Sequence, residues 1–186
     1  MMDKKKLLLH SCCAPCSSYV LEFLQDKYDI TVFFFNPNIT DLKEYELRRD
    51  EQKRLLAQGV ITFIEGSYTP DTFYEVCKGL ETEPEGGERC FGCYELRLCE
   101  TARTASELGF DHFTTTLTVS PHKNAIKINE IGQKFPTYLP FDFKKNNGYQ
   151  RSIELSKQYG LYRQNFCGCT FSQKYDIIAK TSPASE

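Results

Sequence analysis

Cysteines are the residues of this sequence whose type and spacing most directly suggest chemistry. Seven of the nine fall in three short motifs, Cys12-Cys13-x-x-Cys16, Cys90-x-x-Cys93 and Cys167-Gly168-Cys169. Thiols grouped in this way bind zinc, hold iron-sulfur clusters or form redox-active pairs. The sequence therefore predicts a site built from thiols, and each motif has to be weighed against these chemistries.

The first motif follows a short apolar run and precedes Pro15, a residue suited to the first turn of a helix. Its thiols therefore belong to a strand-to-helix turn, where the backbone amides of a helix N-terminus favour thiolate, the form that binds metal. Buried cysteines also pack as small hydrophobic residues, but three within five residues of a loop favour a functional role. Cys16 is given no ligand role, because it can also face the core from the helix.

The second motif places two sulfurs on one side of a turn at a helix start. This spacing suits a zinc ion, an iron-sulfur cluster or a redox dithiol, and it does not choose among them. A structural zinc completed by Cys13 and Cys16 therefore stays open. A domain of this size needs no zinc to hold its core, which favours a functional site.

The third motif differs because cysteines two residues apart form a disulfide only in a strained ring, and strain makes a disulfide easy to reduce. Cys167 and Cys169 are therefore predicted to be a reversible redox pair, with metal ligands or free thiols as the alternative. The two isolated cysteines, Cys77 and Cys99, fall on apolar helix faces and are predicted to be core residues.

Composition limits the class of protein. The chain has 186 residues and a formal net charge of -2, which predicts one domain and no extended nucleic-acid-coating surface. An odd number of cysteines argues against a complete disulfide framework, and we find neither a signal peptide nor an apolar stretch long enough to span a membrane. We therefore expect a cytoplasmic protein with no membrane partner.

Apolar runs that alternate with helical patterns predict an α/β fold, namely an open, mostly parallel sheet with helices on both faces, Rossmann-like. In such a sheet the first strand is usually central, so the first motif would lie at the switch point beyond the carboxyl ends of the strands. We expect one domain over residues 1–186, in which a C-terminal segment from about residue 144 closes over the active site. Strands are predicted at residues 7–10, 30–35, 60–64, 110–117 and 138–143, and helices begin near residues 15, 41, 70, 90, 121, 148 and 171.

Four segments together resemble the QueH family of epoxyqueuosine reductases: LLLHSCCAPCSS, ERCFGCYELRL, TTTLTVSPHKN and LYRQNFCGCTFS. The resemblance covers nearly the whole chain and depends on the combination and order of the motifs. It implies reduction of epoxyqueuosine to queuosine at the wobble position of certain tRNAs, the last step of queuosine biosynthesis. The implied partners are tRNA containing epoxyqueuosine and an electron donor that the sequence does not identify. The fold is also similar to that of the adenine-nucleotide alpha-hydrolase group.

The same resemblance implies the roles of individual cysteines. It assigns a 4Fe-4S cluster, used in place of cobalamin, to four ligands and a redox-active pair to the third motif, and it leaves open an additional iron ion. The implied cluster ligands are Cys12, Cys13, Cys90 and Cys93, and the implied redox pair is Cys167 with Cys169.

Contact with tRNA is predicted in the C-terminal quarter, where seven basic residues stand against three acidic ones and tyrosines are available to stack on unpaired bases. A solvated helix face with buried aromatic residues is the alternative. Asp142 and His122 are candidate proton donors, although an N-cap or a solvent-facing role would also explain them. The predicted substrate-binding residues are Lys144, Lys145, Tyr149, Arg151, Tyr162 and Arg163.

Two other functions stay open at this point. An ATP-dependent tRNA-modifying enzyme of the alpha-hydrolase group should carry a glycine-rich phosphate loop, but SCCAPCSS stands in that position. A zinc-stabilised binding module without catalysis would use the same cysteines.

Overall fold

A computed structural model describes residues 4–172 of the chain. Four strands form one sheet in the order β3-β2-β1-β4, and every neighbouring pair is parallel. The prediction of an α/β fold with an internal first strand is therefore confirmed. The strands are β1 (Lys5–His10), β2 (Tyr28–Phe34), β3 (Thr62–Glu65) and β4 (His112–Thr115).

Strand β1 is apolar on both faces. Leu7, Leu8 and Leu9 have no exposed surface, which is typical of a parallel strand covered by helices on either side. Leu7 and Leu9 join one apolar layer, with α1, α2 and α6, whereas Leu8 joins the other, with α4 and α5. The helices are α1 (Ala14–Leu24), α2 (Leu42–Ala57), α3 (Pro70–Cys77), α4 (Glu88–Glu107), α5 (Ala125–Gly132) and α6 (Gly148–Gln158).

Local signals explain where several helices begin. Asp41 caps α2 as predicted, because its carboxylate accepts the backbone N–H of Glu44 at 2.9 Å. The helix expected at Ser120-Pro121 begins later, since Asn124 caps α5 by accepting the backbone N–H of Lys127 at 3.1 Å. The four residues before this cap form a turn, which leaves His122 and Lys123 outside the helix.

The prediction of a fifth strand over residues 138–143 was wrong. Tyr138 makes one isolated parallel bridge to Phe113, and no strand is assigned in this stretch of the described chain. Strand β4 is also shorter than expected, because residues Thr116–Val119 turn into a 3₁₀ helix and end the backbone ladder. Beyond the bridge, threonine side chains replace strand pairing, as where Thr114 Oγ1 donates to the carbonyl of Leu139 at 2.8 Å.

The last predicted helix, at residues 171–180, lies mostly outside the described residues. Residues 170–172 are helical, and they are the last that the structure describes. None of the described helices is both long and apolar enough to cross a bilayer.

Gly148, the first residue of α6, packs so closely that a larger residue should destabilise the fold. A Cβ atom there would overlap the carbonyl oxygen of Phe143 and the ring of Tyr19 on α1. We expect Gly148→Ala to lower the free energy of unfolding by about 1–3 kcal/mol, the usual cost of overpacking. Gly59→Ala is the matched control, since its Cβ would meet its nearest neighbour, in Ile61, at an ordinary 3.4 Å. Chemical denaturation compares the two, and equal stability would contradict the close packing of α1 on α6.

Candidate functional site

The end of β1 and the start of α1 bring three thiols together. The chain leaves the sheet at His10, turns through the first motif and enters α1 at Ala14. The Sγ atoms of Cys12, Cys13 and Cys16 all lie within 4.8 Å of one another. Among the described residues this is the one group of three or more cysteine, histidine or acidic side chains that meets that limit, so Cys16, which sequence reasoning left unassigned, is part of it.

Hydrogen bonds place the negative charge of this group on Cys12. The thiols of Cys13 and Cys16 donate to Cys12, and the charges of Lys123 and Arg97 add to this effect, so the pKa of Cys12 lies well below its usual value. The same contacts raise the pKa of Cys13 to about 11 and raise that of Cys16, because a second thiolate would repel the first. The group therefore carries one thiolate beside two neutral thiols.

The second motif lies in the first two turns of α4. Cys90 Sγ accepts the backbone N–H of Gly86 at 3.3 Å, and burial raises the Cys90 pKa. Cys93 is buried in an apolar cluster with Cys77 and Cys169, and burial raises its pKa to about 12. The structure does not bring Cys90 and Cys93 into the 4.8 Å group of the first motif, and their role as ligands stays a prediction.

The third motif is anchored to the loop after β2 and to α2. The guanidinium of Arg48 donates to the carbonyl of Cys167 at 3.1 Å, and the backbone N–H of Thr40 donates to the carbonyl of Gly168 at 3.2 Å. Gly168 has a φ of 106°, a value that favours glycine. Asn38 Nδ2 donates to the carbonyl of Cys167 at 3.4 Å. These contacts fix the backbone between the two cysteines.

The two thiols of this motif differ in charge. The Cys169 thiol, which donates to Ser172 Oγ at 3.5 Å, and the nearby cations Lys123, Arg97 and Arg48 lower the Cys167 pKa far below its ordinary value. The neighbouring Cys167 and burial raise the Cys169 pKa. Both residues are free cysteines in the structure. Cys167 is thus a stabilised thiolate next to a neutral thiol that can donate to it.

One buried guanidinium lies among cysteines of all three motifs. Arg97 is 1% exposed, and it donates to Asn36 Oδ1 at 2.6 Å and to His10 Nε2 at 3.4 Å. Burial alone would lower its pKa, but the sulfurs of Cys93, Cys12 and Cys167 outweigh this and raise it. Arg97 therefore remains charged between segments that are far apart in the sequence.

A cavity of about 480 Å³ opens beside these thiols, beyond the carboxyl end of β1. All three cysteines of the first motif line it, together with Cys167, Lys123 and Glu85. A second cavity of about 30 Å³ is lined by Cys12, Asn38, Arg97, Gln164 and Cys167, among others. The predicted switch-point location is therefore where the thiols and a cavity of about 480 Å³ coincide.

The predicted substrate-binding residues divide into two groups. Tyr149 and Arg163 line the large cavity, and the Arg163 guanidinium lies 5.8 Å from the centroid of the Tyr149 ring. The other four do not line it. Lys144 donates to the carbonyl of Lys123, Lys145 is exposed, Arg151 pairs with Glu22 and Glu154, and the Tyr162 hydroxyl donates to Glu44.

The two candidate proton donors also separate. His122 lines the cavity, whereas Asp142 does not, and its carboxylate accepts the backbone N–H of Lys144 at 3.2 Å. Asp142 therefore has the ordinary capping role that was its alternative. Of the isolated cysteines, Cys77 is buried as predicted, but Cys99 is exposed, so its assignment to the core was wrong.

Sequence reasoning missed three charged residues of the site. Arg97 follows Cys93 by four residues, so helical spacing already places a charge beside a site cysteine on α4. Lys123 lies in the segment TTTLTVSPHKN, which was quoted without a role for the lysine. Glu85 lies in an acidic loop, where no pattern distinguishes it from its neighbours.

Comparison with known proteins identifies the family. The family model described as "Epoxyqueuosine reductase QueH" matches residues 7–175. Relatives with that name are 46% identical over 186 residues in Streptococcus pyogenes serotype M1, covering 94% of this chain and 73% of the relative, and 37% identical over 174 residues in Thermotoga maritima, covering 89% of each.

A solved structure shares the fold alone. The U34-tRNA thiolase NcsA from Methanococcus maripaludis, solved with its [4Fe-4S] cluster, aligns with a TM-score of 0.57 at 13% identity, covering 97% of this chain and 68% of that one. The resemblance deduced from the cysteine motifs is confirmed by the family match and by the named relatives. This chain belongs to the QueH family of epoxyqueuosine reductases.

Proposed function

We propose that this chain reduces epoxyqueuosine to queuosine in tRNA, with an iron-sulfur cluster and the Cys167/Cys169 pair as its redox groups. The observation that carries this proposal is the shared cavity, where the thiols of the first motif and Cys167 line the same space of about 480 Å³. Family membership supplies the substrate, and the cavity supplies a place where sulfur-based redox groups and a modified base can meet.

The donor set beside the cavity fits an iron-sulfur cluster. Thiolates are the ligands that such clusters use, and the cations Lys123 and Arg97 offset their negative charge. In the small cavity, Asn38 Oδ1 and Gln164 Oε1 are buried without a partner among the described residues. When bound, a 4Fe-4S cluster exchanges electrons singly. We propose that Cys12, Cys13, Cys90 and Cys93 hold it, and we leave an additional iron ion open.

The Cys167/Cys169 pair is proposed as a two-electron store. Cys167 supplies a thiolate facing the cavity, and in this proposal the neutral Cys169 completes the disulfide with it. The anchoring of Cys167 through Arg48 and Asn38 keeps the thiolate at the cavity wall. Since reduction of an epoxide to an alkene consumes two electrons, this pair supplies the number that one turnover needs.

Tyr149 and Arg163 are the proposed contacts for an unpaired base of the tRNA. An aromatic ring and a guanidinium that line one cavity offer a stacking surface and a positive charge for the phosphate backbone. The proposed closing segment contains both residues, and its part after residue 172 lies outside the described structure. The electron donor stays unidentified, and we place the enzyme in the cytoplasm, where thiols are kept reduced.

The turn between β1 and α1 gives less support to ATP-dependent chemistry. The backbone N–H of Cys12 already donates to Thr116 Oγ1 at 3.2 Å, so it does not point freely at a phosphate. A non-catalytic zinc module would leave the cavity and the Cys167 thiolate without a role. Anaerobically purified protein separates the readings, because a brown cluster-type absorption supports the reductase and colourless protein with stoichiometric zinc supports the module.

The ligand set can be tested one cysteine at a time. We expect Cys90→Ser or Cys93→Ser to lower the iron and sulfide content of oxygen-free protein sharply, because each removes a cluster ligand. Cys16→Ser is the matched variant from the first motif, and we expect it to keep the cluster. Iron and sulfide quantification with absorption spectroscopy is the measurement. If Cys16→Ser lost the cluster while Cys90→Ser kept it, Cys16 and not Cys90 would be the ligand.

Serine in place of Cys167 or Cys169 should abolish turnover with a chemical reductant, because neither variant can form the disulfide. The iron content and the tRNA affinity should stay unchanged. Cys99→Ser, which alters an exposed cysteine on α4, is the control and should retain activity. Conversion of epoxyqueuosine in tRNA is followed by mass spectrometry, and full turnover by either variant would exclude the pair as an obligatory electron store.

Binding of tRNA should depend on the two cavity residues. Tyr149→Ala should weaken affinity by about 1–3 kcal/mol through lost stacking. Arg163→Gln should weaken it and reduce the salt dependence by about one phosphate contact. The control is Arg103→Gln, which removes an exposed charge paired with Glu100 on α4. Affinities measured at several salt concentrations test this, and identical slopes for Arg163 and Arg103 variants would remove Arg163 from the interface.

A further inference from the structure

Glu85 is the one carboxylate among the described residues that line the large cavity. It lies in the loop between α3 and α4, and it shares the cavity wall with Cys167, His122 and Lys123. The proposed cluster ligands and the proposed redox pair are all cysteines, so this carboxylate has no role in either. A single acidic side chain in a cavity that also contains thiols and basic groups needs a chemical explanation.

The loop that carries Glu85 is held in place by a buried arginine. Arg89 is 3% exposed, and its guanidinium donates to the carbonyls of Leu80 at 3.1 Å, Glu81 at 3.2 Å and Glu83. Closer to Glu85, the backbone N–H of Gly86 donates to Cys90 Sγ at 3.3 Å. The carboxylate is therefore presented to the cavity by a backbone fixed on both sides of it.

The surroundings of Glu85 favour its neutral form. Glu85 is an exposed residue, but its carboxyl group is partly shielded from water. This shielding and the negative charge of Cys167 raise its pKa, and they outweigh the opposite effect of Lys123, His122 and Arg89. The carboxyl group thus holds its proton to a higher pH than an ordinary glutamate. A proton donor in an active site needs this property.

The reaction needs one more proton than the cysteine pair releases. Conversion of an epoxide to an alkene breaks both carbon–oxygen bonds, releases the oxygen as water and consumes two electrons and two protons. Cys167 is a thiolate and Cys169 a thiol, so their oxidation to a disulfide releases two electrons but one proton. The second proton has to come from another group that reaches the cavity.

We propose that Glu85 donates this second proton to the departing epoxide oxygen and is then reprotonated from solvent. The proposal rests on the proposed function, since it completes the balance of that reaction. Among the other cavity residues, Lys123 is held in its charged form by Cys167 and Cys12, which suits charge stabilisation. Asp142 is outside the cavity and caps a turn. His122 also lines the cavity and, like Glu85, is exposed; Glu85 is chosen because Arg89 holds the loop that carries it and because the charge of Cys167 raises its pKa.

The test is a single turnover of reduced protein with tRNA containing epoxyqueuosine. Glu85→Gln should slow product formation by about 100- to 10,000-fold, the usual contribution of a general acid, with iron content and tRNA affinity unchanged. The wild-type rate should fall as the pH rises through the Glu85 pKa, because the protonated form reacts, and this fall should be absent from Glu85→Gln. Glu85→Asp should restore part of the rate and the decrease of the rate with rising pH.

The control is Glu81→Gln, which makes the same substitution at another exposed position of the same loop that does not line the cavity, and it should leave rate and pH profile unaltered. A Glu85→Gln protein as fast as wild type, or slow with an unchanged pH profile, would overturn the proton-donor role. Loss of iron in that variant would overturn it too, because Glu85 would then be a metal ligand. If wild-type protein forms no queuosine at all, the failure lies with the proposed function.

Discussion

The buried guanidinium of Arg97 is the interaction on which the site depends. It reaches the end of β1 through His10 and the end of β2 through Asn36, and sulfurs of all three cysteine motifs surround it. A buried cation is costly unless negative charge and hydrogen-bond acceptors compensate it, and here thiolates supply that charge. Fold and redox chemistry are therefore coupled, since loss of either partner leaves the other buried without compensation.

The same electrostatics explain why each cysteine group is asymmetric. In the first motif the charge collects on Cys12, and in the third it collects on Cys167, because a neighbouring thiol and the cations Lys123 and Arg97 lower the pKa of each. A second thiolate in either group would repel the first. In the first and third motifs one sulfur therefore favours the thiolate form and has a neutral thiol beside it, an arrangement that suits both metal binding and disulfide formation.

The parallel sheet brings these groups together. Strands β1 and β4 are neighbours, so Thr116, directly after β4, contacts Cys12, directly after β1. Thr116 Oγ1 accepts the backbone N–H of Cys12 at 3.2 Å and lies 3.4 Å from the Cys12 Sγ. The loop after β2 holds the third motif through Thr40 and Asn38. Because all strands run in the same direction, the segments that follow them meet at one edge of the sheet.

The sequence by itself determined the fold class, the family and the three cysteine motifs, because hydrophobic periodicity and motif order are properties of neighbouring residues along the chain. It also predicted a site after β1. Tertiary structure alone decided that Cys16 joins Cys12 and Cys13, that Tyr149 and Arg163 reach the cavity while Arg151 and Tyr162 make ion pairs or hydrogen bonds elsewhere, and that residues 138–143 add no strand. These outcomes depend on burial and on contacts between segments that are distant in the sequence, and the spacing of neighbouring residues predicts neither.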